Sequence, residues 1–209
     1  MRIVAGRHKG RVLMAPQGRN TRPTADRVRE ALFNILAHGK PELRDASVLD
    51  AFAGSGALGF EALSRGAANV TFMETDAEAF AIIYGNARKL GAEQVVSVQR
   101  VDATRPPKAK IPCRIVLMDP PYKSGLAKPA LLGLHAQGWL APDCMVVVEV
   151  AAGEGFASPI KSLKITDERT YGAARLVFMR FEAALAADQA QEAAAEDDEE
   201  EEEEDGGEN

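Results

Sequence analysis

The chain has 209 residues, 46% of them hydrophobic and 27% charged, enough for one domain that buries about 70% of its unfolded surface. It shows no internal repeat, no apolar run long enough to span a bilayer and no secretory leader, and a cytoplasmic protein is expected. The formal net charge of −6 conceals two unlike pieces: residues 188–209 hold 13 acids and no Lys or Arg, so the remainder carries 25 basic and 18 acidic residues, a net of +7.

Residues 1–29 concentrate that positive charge, with Arg2, Arg7, Lys9, Arg11, Arg19, Arg22, Arg27 and Arg29 against one acid, Asp26. The pattern predicts a small β-hairpin over 2–4 and 11–14, with Gly10 near its turn. A basic arm of this kind is the expected footprint of a phosphate backbone, although a plain solvated basic surface has the same composition. Arg7, Lys9, Arg11, Arg22 and Arg27 are the candidate RNA contacts, and Arg22 and Arg27 equally suit the carboxylate of a cofactor. His8, between Arg7 and Lys9, is as readily solvated as bound. A helix follows over 26–37, with Val28, Leu32, Ile35 and Leu36 on one face.

Val48-Leu49-Asp50 is a short apolar strand that runs into Ala51-Phe52-Ala53-Gly54-Ser55-Gly56-Ala57-Leu58-Gly59. Glycines at that spacing let the backbone turn tightly and let a ligand approach with no Cβ in the way. Glu74 ends the next apolar strand, 20 residues after Gly54, where a carboxylate can hold both hydroxyls of a ribose. This much is equally a dinucleotide fingerprint. Two details tilt it away from NAD. Asp50 precedes the glycines, and an acid there suits an ammonium group better than a pyrophosphate. A further acid, Asp102, follows the apolar run Val95-Val96-Ser97-Val98, where it can accept from an adenine amino group. The cofactor candidates are therefore Asp50, Phe52, Gly54, Gly56, Glu74 and Asp102.

Strands near 47–50, 70–74, 95–99 and 113–118 alternate with helices near 57–65, 77–90 and 126–136. A strand over 144–150 follows, then a closing pair near 161–167 and 174–181. Such alternation predicts a mostly parallel sheet covered on both faces, with ligands beyond the carboxyl ends of the strands where strand order reverses. Asp50, Glu74, Asp102 and Asp119 all fall at such ends. Cys113 and Cys144 sit in apolar strand contexts as reduced core residues, His38 and His135 carry no signal, and Trp139 is expected in the core. No cluster has metal-ligand spacing, so no metal is expected.

Directly after Ile115-Val116-Leu117-Met118 stands Asp119-Pro120-Pro121-Tyr122. Asp119 and the Pro120 carbonyl accept hydrogen bonds, neither proline donates one, and Tyr122 offers a face for a planar base. Pro-Pro alone also serves simply to end a strand. As a slot, the tetrapeptide suits an exocyclic amine or amide: two acceptors grip its hydrogens and release its delocalised lone pair towards an electrophile. Cofactor acids after three successive strands and this slot after the fourth describe an S-adenosylmethionine-dependent amino-methyltransferase.

Three blocks make the likeness specific: Arg22-Pro23-Thr24-Ala25-Asp26-Arg27-Val28-Arg29-Glu30-Ala31-Leu32-Phe33-Asn34-Ile35-Leu36, the stretch from Leu49 to Gly66, and Asp119-Pro120-Pro121-Tyr122. Together they resemble the RsmD family, bacterial methyltransferases that modify the N2 of one guanine in 16S rRNA. The opening Met1-Arg2-Ile3-Val4-Ala5-Gly6 and the Gly138-Trp139-Leu140 that precedes the strand Met145 to Glu149 share the likeness, which covers residues 1 to 182 in order. The resemblance implies a class I S-adenosylmethionine-dependent fold, Rossmann-like with a seven-stranded mostly parallel sheet, and S-adenosyl-L-methionine as cofactor. It implies 16S rRNA as partner, in an assembling or assembled small ribosomal subunit, and a monomeric enzyme. Asp119, Pro120, Pro121 and Tyr122 are the expected catalytic residues.

The chain then divides into a basic N-terminal arm and helix (1–40), a methyltransferase domain (41–182) and an acidic low-complexity tail (183–209) that departs from the family pattern. The tail cannot build a core and is expected to be disordered, with solubility as its role and competition with RNA for the basic arm as the alternative. Three other readings remain. An adenine-N6 methyltransferase uses the same slot but needs a target-recognition domain for which no gap has room. A glutamine-amide protein methyltransferase typically has Asn before the prolines and no reason for the arm. A non-catalytic nucleotide-binding module would have lost Asp119 or the glycines.

Overall fold

The computed structural model describes residues 1–16 and 23–183; Arg19, Arg22 and the acidic tail expected to be disordered lie outside the described residues. The elements in chain order are α1 (Pro23–Ala37), β1 (Ser47–Asp50), α2 (Ala57–Ser64), β2 (Asn69–Met73), α3 (Ala77–Leu90), β3 (Val96–Gln99), β4 (Cys113–Met118), α4 (Ala127–Ala136), β5 (Leu140–Ala151), β6 (Leu163–Tyr171) and β7 (Ala174–Phe181). They build one seven-stranded sheet in the order β3-β2-β1-β4-β5-β7-β6. The first five strands run parallel to one another, and β7 lies antiparallel between β5 and β6. This is the mostly parallel, doubly wound sheet that the alternating pattern predicts.

Alternate residues of the apolar strands feed two core layers, because successive side chains leave a strand on opposite faces. Val48, Phe72, Ile115 and Leu117 pack with Phe33, Phe60, Leu63 and Ile83 under α1, α2 and α3. Leu49, Met73, Val116 and Met118 pack with Leu131, Leu134, Trp139 and Val148 under α4. Trp139 is buried and donates its indole N–H to the Pro107 carbonyl at 2.7 Å. Cys113 and Cys144 are free and buried, and burial pushes the Cys113 thiol up to about 12.

Element boundaries differ from the sequence expectation by three residues or more in three places, each with a cause. Helix α1 begins at Pro23 instead of 26, since the missing N–H of a first-turn proline costs no hydrogen bond. Strand β5 starts at Leu140 instead of 144. Leu140 pairs with Cys113, and the register then shifts, with Asp143 at φ 59 absorbing the irregularity. The Pro142-Asp143 pair that reads as a turn is thus a kink within one strand. Strand β6 reaches Tyr171 instead of 167; its charged, exposed residues hide it in the sequence and suit an unpaired sheet edge.

The N-terminal arm is a hairpin, with one antiparallel bridge between Arg2 and Val12 and a Gly10 at φ 82. Its Ile3 and Leu13 join the core layer under α1–α3. Buried polar side chains then clamp its backbone. Glu61 on α2, fully buried, accepts from the N–H groups of Val4 (2.8 Å) and Ala5 (3.0 Å) and from Arg65 Nε (2.7 Å). Arg29 donates to the Arg2 carbonyl, and Ser64 Oγ accepts from the His8 N–H. Asn86 on α3 accepts from the Met14 N–H and donates to the carbonyls of Met14 and Ser55. None of these clamps stands out in the sequence, except that Glu61 is a lone acid in an apolar helix.

Candidate active site

Strand order reverses between β1 and β4, which are neighbours although they are far from consecutive in the chain. Asp50 pairs with Leu117, so the loop after β1 and the Asp-Pro-Pro-Tyr turn after β4 emerge side by side at the carboxyl edge of the sheet.

The glycine loop is shaped by positive φ at Gly54 (53°) and Gly56 (79°), a region that other residues enter at a cost. Gly59 serves packing instead: a Cβ there would stand 2.2 Å from Phe72 Cε1, so α2 could not lie so close on β2. Asp50 closes the arrangement from beneath. Its Oδ2 accepts from the Gly59 N–H at 2.9 Å, satisfying a donor in the first turn of α2. Its Oδ1 is buried with no hydrogen-bond partner. Burial, opposed by the Gly59 hydrogen bond and aided by the nearby Glu74, pushes this carboxyl up to about 7. An orphaned buried carboxylate oxygen is costly alone and is well matched to a cation.

Glu74 follows β2 and is held rigidly, with Oε2 accepting from Gly54 N–H (2.7 Å) and Oε1 from Asp76 N–H (2.9 Å). Each oxygen keeps capacity to accept a hydroxyl proton. Asp102 lies beyond β3, exposed, and hydrogen bonds from Thr104, with Arg105 nearby, hold its carboxyl below the usual range. Strands spaced about 4.8 Å apart set these three acids along roughly 10 Å of sheet edge, the length of a nucleoside. Phe52 is half-buried against the α4 core layer beside them. The donor set therefore fits S-adenosylmethionine: one acid with an orphaned oxygen for an ammonium, one braced acid for a ribose and one exposed acid for an amino group.

In the turn after β4, Asp119 is exposed, Pro120 buried and Tyr122 45% exposed. Lys123 follows at φ 56, a strained conformation for a lysine. Tyr122 donates its hydroxyl to Glu149 Oε1 at 2.5 Å. Glu149 stands on β5 one residue beyond Val148, the partner of Met118, which puts it laterally beside Asp119. Burial raises its carboxyl, and the Tyr122 hydrogen bond opposes that rise. Pro120, Pro121, Tyr122, Glu149 and Phe156 enclose a cavity of about 70 Å³. Glu149 was not among the sequence candidates. The available signal was a single acid inside the apolar run 145–150.

The structure thus gathers Asp50, Phe52, Gly54, Gly56, Glu74, Asp102 and residues 119–122 on one edge. Arg7, Lys9 and Arg11 are exposed, but not there. The hairpin lies along α2, with Met14 tied through Asn86 to Ser55 of the glycine loop and Arg7 N–H donating to the Ser64 carbonyl at the other end. An eight-residue helix is about 12 Å long, so the basic turn is set back from the glycine loop by that distance. Arg27 is exposed on α1, and Arg22 lies outside the described residues.

Comparison with known proteins agrees with this geometry. A family model described as conserved hypothetical protein 95 matches residues 1–180. Ribosomal RNA small subunit methyltransferase D of Escherichia coli K12 is 38% identical over 172 residues, covering 82% of this chain and 85% of its own. The solved structure of Escherichia coli yhhF superposes with a TM-score of 0.77 at 37% identity, over 88% of this chain and 98% of that one. A Salinibacter ruber RNA methyltransferase in complex with S-adenosyl-L-homocysteine shares the fold at 14% identity, with a TM-score of 0.58 over 78% of this chain and 94% of that one. The sheet is accordingly a class I methyltransferase fold, and the chain belongs to the conserved hypothetical protein 95 family, the RsmD family that its motifs resemble.

Proposed function

We propose that this protein transfers a methyl group from S-adenosyl-L-methionine to the exocyclic N2 amine of one guanine in 16S rRNA, acting as a monomer in the cytoplasm on an assembling or assembled small ribosomal subunit. The observation that carries this reading is the Asp-Pro-Pro-Tyr turn after β4 beside the glycine loop after β1. The small-subunit rRNA methyltransferases among its relatives support the choice of substrate.

When bound, S-adenosylmethionine supplies a methyl group on a positively charged sulfur. Asp50 Oδ1 accepts from its ammonium group, Gly54 and Gly56 admit it close to the backbone, Glu74 holds the ribose, Asp102 meets the adenine amine and Phe52 walls the loop. The guanine leaves its stack to enter the slot. Tyr122 stacks on it, while Asp119 and the Pro120 carbonyl accept the two N2 hydrogens and Pro121 keeps the turn stiff. This grip draws the N2 lone pair out of the ring and makes it nucleophilic. Asp119 stabilises the positive charge that develops on N2 and accepts the departing proton, directly or through water. Most of the acceleration comes from holding two reactants in one geometry. Arg7, Lys9, Arg11 and Arg27 bind RNA phosphates, with Arg22 shared between RNA and cofactor, so the bound RNA extends from the slot along α2.

Mass mapping of 16S rRNA from cells with and without the gene tests the proposal. One N2-methylguanine should disappear on deletion and return with the wild-type gene. An unchanged methylation map, or loss of an N6-methyladenine instead, would overturn it.

A further inference from the structure

Resting on the guanine-N2 reading, we infer that Glu149 is the specificity-determining residue of the slot: its carboxylate accepts the guanine N1–H while Asp119 and the Pro120 carbonyl hold N2. Strand register sets the geometry. Met118 pairs with Val148, so Asp119 and Glu149 leave neighbouring parallel strands at the same level, with about 4.8 Å between strands. Both then face a base edge that enters between them. The bond from Tyr122 Oη to Glu149 Oε1 shows that the side chain is turned towards the slot. Glu149 also lines the 70 Å³ cavity with Pro120, Pro121 and Tyr122, a space suited to the edge of a base.

The chemistry separates the bases. Beside its exocyclic amine guanine carries N1–H, a donor, whereas adenine carries a bare N1, an acceptor. An ionised carboxylate only accepts, so Glu149 pairs with the first and repels the second. The Tyr122 hydroxyl favours the ionised form against the burial that opposes it. One residue thus fixes Tyr122 with Oε1 and has Oε2 to read the base.

The test first locates the methylated guanine by mass mapping with the wild-type enzyme. Splinted ligation then yields rRNA with 2-aminopurine at that one position, a base that keeps the N2 amine and replaces N1–H by an acceptor. Rates of S-adenosylmethionine-dependent methylation are compared for both rRNAs with wild type, Glu149→Gln and Tyr122→Phe, with thermal unfolding as the folding control. Wild type should prefer guanine by roughly 10- to 100-fold, the scale of one hydrogen bond to a charged group. In Glu149→Gln the amide can donate to N1 of 2-aminopurine, so the preference should collapse to within about threefold by the same scale. Tyr122→Phe keeps the stacking ring and removes the hydroxyl that favours ionised Glu149, so its preference for guanine should fall part of the way towards that of Glu149→Gln. A Glu149→Gln enzyme that slows both substrates equally would reduce Glu149 to a support for Tyr122 and overturn the inference alone. Methylation by the wild type at an atom other than guanine N2 would overturn the functional reading as well, and would be seen before any variant is made.

Discussion

Asp50 illustrates how a single carboxylate couples stability to ligand binding. Its folded value of about 7 stands above the ordinary 3.8, so its protonated form stabilises the fold fully below about pH 4. That contribution is lost as pH rises through 7, and three pKa units correspond to roughly 4 kcal/mol. Asp50→Asn stays neutral, so without cofactor it should be more stable than wild type at pH 8, by about 1–3 kcal/mol, and by markedly less at pH 5. S-adenosylhomocysteine should stabilise wild type far more than this variant. Thermal unfolding at the two pH values, with and without the ligand, checks both statements; an Asn variant that gains as much from the ligand as wild type would remove Asp50 from the cofactor site. Asp119→Ala should instead lower methyl transfer by about 100-fold or more and leave cofactor affinity nearly unchanged, since it removes a preorganised electrostatic partner of N2 only. Near-full turnover in that variant would leave the tetrapeptide as no more than a turn. The candidate acids Asp50, Glu74, Asp102 and Asp119 were legible in the sequence because each closely follows or ends an apolar strand. Glu149 was not, because its place beside Asp119 depends on the β4–β5 register, which no local pattern encodes.

Among the elements, the N-terminal hairpin depends most on polar clamps. Its own strands meet at a single bridge, and Glu61 satisfies two of its backbone N–H groups together with Arg65. Glu61→Ala leaves the Val4, Ala5 and Arg65 donors without their acceptor and removes the carboxylate that lies 4.0 Å from the buried Arg29, a loss of about 3–5 kcal/mol for a broken buried charged pair. Denaturant unfolding should show that loss, and hydrogen exchange at Val4 and Ala5 should rise well above that of the sheet. A stability within about 0.5 kcal/mol of wild type, the scatter of surface substitutions, would show the clamp to be incidental. The hairpin itself was legible from its alternation and its glycine, as were α2, α3 and the buried parallel strands from their apolar runs. The edge strand β6 was cut short because charge patterning imitates a loop, and β5 because a kink imitates a turn. In both cases pairing to a neighbour outweighs local composition.

On the scale of the whole molecule, the first 29 residues are strongly basic and the last 22 acidic, and under the proposed function the two ends should act oppositely on RNA. The basic turn of the hairpin lies at the far end of α2, about 12 Å from the glycine loop, so under the proposed function it meets phosphates rather than the target base. Replacing Arg7, Lys9 and Arg11 with Ala should therefore weaken RNA binding and flatten its salt dependence, by about one unit of slope for each phosphate that is no longer neutralised. Methylation at saturating RNA should persist, because the slot and cofactor edge are untouched. Removing residues 188–209 takes away 13 negative charges and no positive ones. That truncation should leave the unfolding temperature unchanged and either spare RNA affinity or raise it, most visibly at low salt where screening is weak. Filter binding of 16S rRNA across a salt series, with both variants beside wild type, measures the pair together. An unchanged slope in the hairpin variant would place the RNA backbone elsewhere on the surface. Loss of binding on truncation would mean that the acidic segment engages the ribosomal substrate itself, reversing the roles assigned here to the two ends.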